Sequence, residues 1–269
     1  MKKVFVVHGM QRSGNHAIIQ WIEAHGQFIF YNNVIPMAPI LLGERTMPPE
    51  QEFTDWLRAR LSPRHRFLPF PLVRLALHNQ LMMLSLEDLP LDTPVFRNCP
   101  VDLQHILILR DPRNMFASRI HRAWQIDHPT FPRKMGPLME RVIDTWKSHA
   151  REFLADTHQL GPCVRIYFDD WFSDVSARKT ISRSLGLPFT DAGLERVSEV
   201  GGGSSFEGTD FDGVSRKMNV LDRSAQLPPQ ERRLFDAVFE DPELKALTER
   251  LAEKNRAKAL RPDGPGTKQ

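Results

Sequence analysis

The sequence is short of several things, and each shortage removes a class of protein. Only two of its 269 residues are cysteine, Cys99 and Cys163. Two thiols cannot build a disulfide framework and are too few for a structural zinc site, so a reducing compartment is expected. No stretch approaches the roughly 18 apolar residues that a membrane span needs. The opening run Val4-Phe5-Val6-Val7 is far shorter than the apolar core of a secretion signal. A soluble, cytoplasmic protein without a membrane span is therefore expected. Ten histidines are present, but with no His-Glu-x-x-His motif and no Cys/His cluster, so no metal is expected. Glycine numbers only 15, which excludes collagen-like and low-complexity chains.

Apolar residues at 41% and charged residues at 26% describe a chain with a real core. The formal charge of +3 is unevenly distributed. From residue 254 onward Lys254, Arg256, Lys258, Arg261 and Lys268 face Asp263 alone, so this stretch carries +4 and the rest of the chain −1. The expected organisation is one domain over residues 1–253 and a basic, frayed tail over 254–269. The arginines at 58, 60, 64, 66 and 74 read as a solvated face. No nucleic-acid motif accompanies them, and no nucleic-acid partner is expected.

Strand and helix signals alternate along the chain. Val4–Val7 and His105–Leu109 read as strands buried on both faces, as does Val164–Phe168, closed by Asp169-Asp170. Leu81–Leu86 and Val95-Phe96 read as short strands. A helix is expected directly after Gly14, another opening at Asp111-Pro112, and a long one through Leu138, Val142, Trp146 and Phe153. A further helix is expected to end at Leu185-Gly186-Leu187-Pro188. Residues 32–49 read as a long loop, Pro48-Pro49 as the opening of a short helix, and 201–226 as a long polar segment. The pattern predicts an α/β fold, a parallel sheet with helices on both faces.

Two segments carry chemistry. Gly9-Met10-Gln11-Arg12-Ser13-Gly14-Asn15-His16 lies between a strand and a helix with the glycine spacing of a phosphate-binding loop. Where a nucleoside-triphosphatase has Lys then Ser or Thr, this chain has Asn15 then His16, so neither the γ-phosphate clamp nor the magnesium hydroxyl is present. The cation sits inside the loop instead, as Arg12. The second segment is Arg110 at a strand end, with Ser118 two turns into the next helix on a polar stripe with Asn114, His121 and Arg122. Both strand ends open on the carboxyl edge of the sheet, where two cations suit a ligand with two separate phosphates.

Together these segments resemble the sulfotransferases that use 3′-phosphoadenosine 5′-phosphosulfate (PAPS). That family carries a basic-Ser-Gly-Thr-Thr loop, here Arg12-Ser13-Gly14-Asn15-His16. Its second motif is an Arg-Asp-Pro-Arg-like turn with a serine eight residues on, here Arg110-Asp111-Pro112-Arg113 and Ser118. Tyr167-Phe168-Asp169-Asp170 and the late segment Ser204-Ser205-Phe206 through Arg223 resemble two further elements. The resemblance implies a single-domain, P-loop-like sulfotransferase architecture with PAPS as co-substrate and no metal. It places Gln11, Arg12, Ser13, Gly14, Asn15, His16, Arg110, Ser118, Phe168, Ser205, Phe206 and Arg223 at the nucleotide, and Arg12 at the reacting group. The acceptor would be a small molecule, carbohydrate or natural product.

The family's catalytic base has no counterpart at the positions expected for it, near Asn32-Asn33 and near Arg97-Asn98-Cys99. Glu44, His78 and Glu87 remain. Glu44 and His78 are carried as candidate bases, and Glu87 reads as a turn acid before Leu89-Pro90. Alternative readings are a P-loop-like nucleotide or small-molecule kinase and a non-catalytic nucleotide-binding protein of the same fold.

Overall fold

Residues Val4–Val7 have no polar alternation, and strand β1 (Lys3–Gly9) is indeed covered on both faces, as the central strand of a five-stranded parallel sheet. The computed structural model describes residues 3–41, 43–60, 81–99, 101–127, 131–194, 206 and 218–259. Among them, β2 (Phe28–Tyr31), β4 (Leu81–Glu87), β6 (Leu103–Leu109) and β7 (Cys163–Tyr167) join β1 in the order β2-β4-β1-β6-β7. Two-residue strands β3 (Gln51–Glu52) and β5 (Phe96–Arg97) form a separate small sheet.

Side chains alternate across each strand, so β1 feeds two cores at once. Phe5 and Val7 meet Ile18, Trp21 and Ile22 of α1 (Asn15–Glu23) and Leu185 of α7 (Val175–Leu185). Val4 and Val6 belong to the opposite face, with Phe53, Trp56 and Leu57 of α3 (Phe53–Arg60). On that same face Leu107 and Leu109 of β6 pack against α4 (Pro112–Asp127), α5 (Phe131–Leu154), α8 (Pro229–Val238) and α9 (Pro242–Ala259). The result is a single α/β domain, a parallel sheet flanked by helices.

Capping follows the local sequence. The Asp111 carboxylate accepts the Asn114 amide at 3.1 Å at the start of α4, Asp174 accepts the Ser176 and Ala177 amides before α7, and Gly186 ends α7 at φ 70°. Four expectations shift. The segment 32–49 contains α2 (Met37–Leu41) despite its prolines. Helix α3 begins at Phe53 rather than Pro49, because Gln51 and Glu52 are drawn into pairing with Phe96 and Arg97. Strand β7 stops at Tyr167, and Phe168 opens α6 (Phe168–Ser173). Helix α9 continues through Ala259, past the boundary expected at 253.

The candidate base His78, the nucleotide residue Ser205, the arginines 64, 66 and 74, Ser204 and the glycines before it, and the tail from 260 lie outside the described residues. Both cysteines are free thiols. Among the described residues no helix is long and apolar enough to cross a membrane, and no group of three metal-ligating side chains occurs.

Candidate functional site

The sheet's strand order reverses at β1, between a first excursion to β2 and a later one to β6, and ligands of open α/β sheets bind at the carboxyl ends flanking such a point. Register brings four strand ends together there. Gly9 is opposite Glu87 on one side and Ile108 on the other, and Leu109 is opposite Tyr167.

The loop after β1 turns tightly, with the Ser13 amide donating to the Met10 carbonyl at 3.1 Å. Arg12 and Gly14 both take left-handed backbone angles, φ 69° and 81°. At Gly14 any Cβ would lie 2.2 Å from the Phe168 ring, so glycine is required by contact as well as by conformation. Gly9 is held to glycine by Asn15, whose Oδ1 would sit 2.3 Å from an added Cβ. The Asn15 carboxamide donates to the Met10 carbonyl at 3.0 Å and to Glu87 Oε1 at 2.9 Å, an inward-turned brace where a triphosphatase has its lysine.

The second cation is part of the loop's support. Arg110 is 5% exposed and lies over the Phe168 ring at 4.8 Å. Its guanidinium donates to the Arg12 carbonyl at 2.9 Å and to the Val220 carbonyl. Burial pulls it down to about 10, against the pull of Asp169. Arg12 is also pulled down to about 10, first by burial and then by the positive field of Arg122, Arg223 and Arg119, with Glu87 opposing. Five arginines thus converge on one edge, a local field suited to anions inside a nearly neutral body.

Helix α4 presents buried Asn114 and Ser118 to this edge. Asn114 donates to the Leu221 carbonyl at 2.9 Å and accepts the Arg223 amide at 2.8 Å, which fixes the 218–226 segment over the helix. Phe206 lies between the His121 ring, stacked at 4.2 Å, and the Arg223 guanidinium at 4.8 Å. His121 in turn hydrogen-bonds to buried Glu231 at 2.9 Å. Phe168 is 4% exposed; it forms the floor under Gly14 and Arg110 instead of offering an open ring face.

The structure brings Arg12, Ser13, Gly14, Asn15, His16, Arg110 and Phe168 together and places Ser118, Phe206 and Arg223 on neighbouring elements. The Gln11 backbone amide is committed to Asp88 Oδ1 at 3.0 Å. Glu44 is exposed in the turn after α2 and shares no hydrogen bond or ion pair with the described residues of the loop. Of the candidate bases among the described residues, the one that does is Glu87. It ends β4, is 8% exposed, binds Asn15, and lies 3.7 Å from His16 Nε2. Burial holds the His16 imidazole below its ordinary value, with Glu87 pulling the other way. The long-range pairing of β4 with β1 is what turns a Leu-Glu-Asp-Leu-Pro turn into part of the site.

Among the described residues, Ser13 Oγ and Arg110 Nε are buried donors here without a hydrogen-bond partner. A buried donor without an acceptor is costly, and both suit the oxygens of a phosphate.

No family model and no curated protein matches this sequence. Solved structures do match in fold. Mouse sulfotransferase SULT7A1 complexed with PAP has a TM-score of 0.47 at 14% identity, covering 93% of this chain and 89% of that one. The sulfotransferase domain from the curacin biosynthetic pathway has a TM-score of 0.46 at 11% identity, covering 94% of this chain and 98% of its own. A sulfotransferase from Alicyclobacillus acidocaldarius has a TM-score of 0.42 at 14% identity, covering 93% and 96%. All three of these structures are sulfotransferases.

Proposed function

We propose that the chain is a sulfotransferase with PAPS as donor and a hydroxyl or amine of a small molecule, carbohydrate or natural product as acceptor. The observation that carries this reading is the direct link between two arginine-bearing strand ends, Arg110 donating to the carbonyl of Arg12 at 2.9 Å. It joins two cations on one edge, which supports a ligand with two separate phosphates, and no triphosphatase lysine or hydroxyl follows Gly14 in the loop. The orphaned Ser13 Oγ and Arg110 Nε supply donors of the right kind for that anion.

PAPS supplies a sulfuryl group on a 5′-phosphate leaving group. Arg12 meets the negative charge that builds on the bridging oxygen as the sulfur–oxygen bond breaks, and it does so from a half-buried setting where Coulombic attraction is stronger than in water. Arg110, Ser118 and Arg223 hold the 3′-phosphate end, with Phe206 packed against the Arg223 guanidinium. Glu87 accepts the acceptor's proton as the new bond to sulfur forms, with Asn15 fixing its carboxylate at 2.9 Å. Asn15 speaks against a kinase, because its side chain braces the loop and offers no cation to a γ-phosphate.

The test is thermal unfolding with 3′,5′-bisphosphoadenosine (PAP) and no magnesium. At about 100-fold over Kd the ligand adds about 2.7 kcal/mol of stability. An unchanged melting temperature at millimolar PAP, or an equal rise with AMP, which lacks the 3′-phosphate, sinks the reading.

A further inference from the structure

The residue after Glu87 is the most heavily engaged side chain of the site. Asp88 is 1% exposed and has a left-handed φ of 58°. Its Oδ1 accepts the Gln11 amide at 3.0 Å and Arg119 Nη1 at 2.8 Å, and its Oδ2 accepts Arg119 Nη2 at 2.8 Å. Its own amide donates to the Gly9 carbonyl at 3.0 Å. One carboxylate therefore joins the end of β1, the anion loop, the end of β4 and helix α4. A left-handed non-glycine residue is strained and persists only where its surroundings over-determine it.

We infer that the Asp88–Arg119 pair is the positioning element of the catalytic edge, an inference that rests on the sulfuryl-transfer reading. The planar, bidentate fork sets the backbone angle at Asp88, and that angle decides where the adjoining Glu87 carboxylate points. The same oxygen fixes the loop at Gln11, the residue before Arg12. Arg119 follows Ser118 on α4, so the fork also holds the distance between the loop and the second anion element. Neither side chain touches the reacting atoms. Their work is to keep Glu87 and Arg12 in mutual register, which is the geometry an in-line transfer depends on.

Glu87 faces Arg12 from the loop and Asn15 and His16 from α1, with Asp88 beside it in the chain. Asp88 faces Arg119 from α4 and His149 from α5. The positioning role is separable from simple stability because turnover and PAP affinity are read apart and the conservative lysine variant keeps one arm of the ion pair.

The test needs no known acceptor, because water can accept the sulfuryl group: its oxygen bonds to sulfur as the bond from sulfur to the bridging oxygen breaks, giving PAP, sulfate and two protons. Labelled PAPS is incubated with saturating wild-type protein, Asp88→Asn, Arg119→Met and Arg119→Lys, and PAP affinity is measured by calorimetry. Asparagine tolerates the left-handed angle, so Asp88→Asn tests the charge with little change of shape. Expected are PAP affinities within about threefold of wild type and turnover lower by about tenfold or more in Asp88→Asn and Arg119→Met, with part of the loss recovered in Arg119→Lys. Turnover within about twofold of wild type in both variants, or PAP affinity falling as far as turnover, overturns the inference while leaving the donor assignment intact. A wild-type protein that binds no PAP overturns the donor assignment, and the positioning role goes with it.

Discussion

Arg12 and Arg110 leave adjacent parallel strands at the same edge, and burial pulls both guanidinium groups down to about 10, yet their tasks differ. Arg110 is buried over an aromatic ring, with donors committed to two backbone carbonyls, one of them Arg12's own. Arg12 sits half-buried on a left-handed turn that Arg110, Phe168 and Asp88 hold from outside. The pair teaches that a cation at a strand end is defined by what its N–H groups already touch. One arginine is built into the frame, and the other is what the frame presents.

The comparison breaks first at Arg12. Arg12→Ala is expected to lower PAPS turnover about 10²- to 10³-fold while PAP affinity falls far less, because the charge it meets is largest in the transition state. Single-turnover assays and calorimetry decide it, and equal losses in both would make Arg12 a binding residue only. Arg110→Ala should behave in the opposite way. It strands the carbonyls of Arg12 and Val220, and a stability loss of about 3 kcal/mol is expected in denaturant titrations, together with weaker PAP binding. A fully stable variant would show that the buried guanidinium is not part of the frame. Gly14→Ala sharpens the contrast by disturbing the shared floor, since a Cβ would enter the Phe168 ring at a φ of 81°. A loss of about 1–3 kcal/mol is expected, read as a lowered melting temperature.

The smallest effect concerns pH. His8, one residue before the loop, is held well below its ordinary value by burial and then by His105 and His149, and burial lowers His149 as well. These imidazoles are neutral in the fold, so as pH falls below about 6.5 the unfolded chain takes up protons that the folded one refuses. Stability is therefore expected to be level above that value and to fall on acidification. His8→Gln should flatten the fall in melting temperature between pH 7 and pH 5, and an unchanged slope would clear His8 of the effect.

Much of the fold was legible because it is written locally. The apolar runs at Val4–Val7 and His105–Leu109 and the glycine at Leu185-Gly186 specify elements by composition and period alone. The tight turn after β1 was legible through Gly9 and Gly14; Gly9 answers to Asn15 six residues on, whereas Gly14 answers also to Phe168, far along the chain. The rest depended on partners far along the chain. Phe53 rather than Pro49 starts α3 because Phe96 and Arg97 recruit the two residues before it. Asp88 was not singled out in the sequence, because its role depends on β4 pairing with β1 and on α4 delivering Arg119. Glu87 was visible only as one of three candidates beside Glu44 and His78, since nothing near it in sequence announces Asn15.

Asn15 has one more consequence, which concerns how far this chain stands from the chemistry of ATP. Its carboxamide is fixed between the Met10 carbonyl and Glu87, where a triphosphatase loop has lysine. A lysine installed there by a single codon change would find a carboxylate at ion-pair distance before it found a phosphate, and position 16 would still lack a magnesium hydroxyl. A kinase-type loop would therefore ask for changes at 15 and 16 together, and for a Glu87 that no longer holds the side chain at 15.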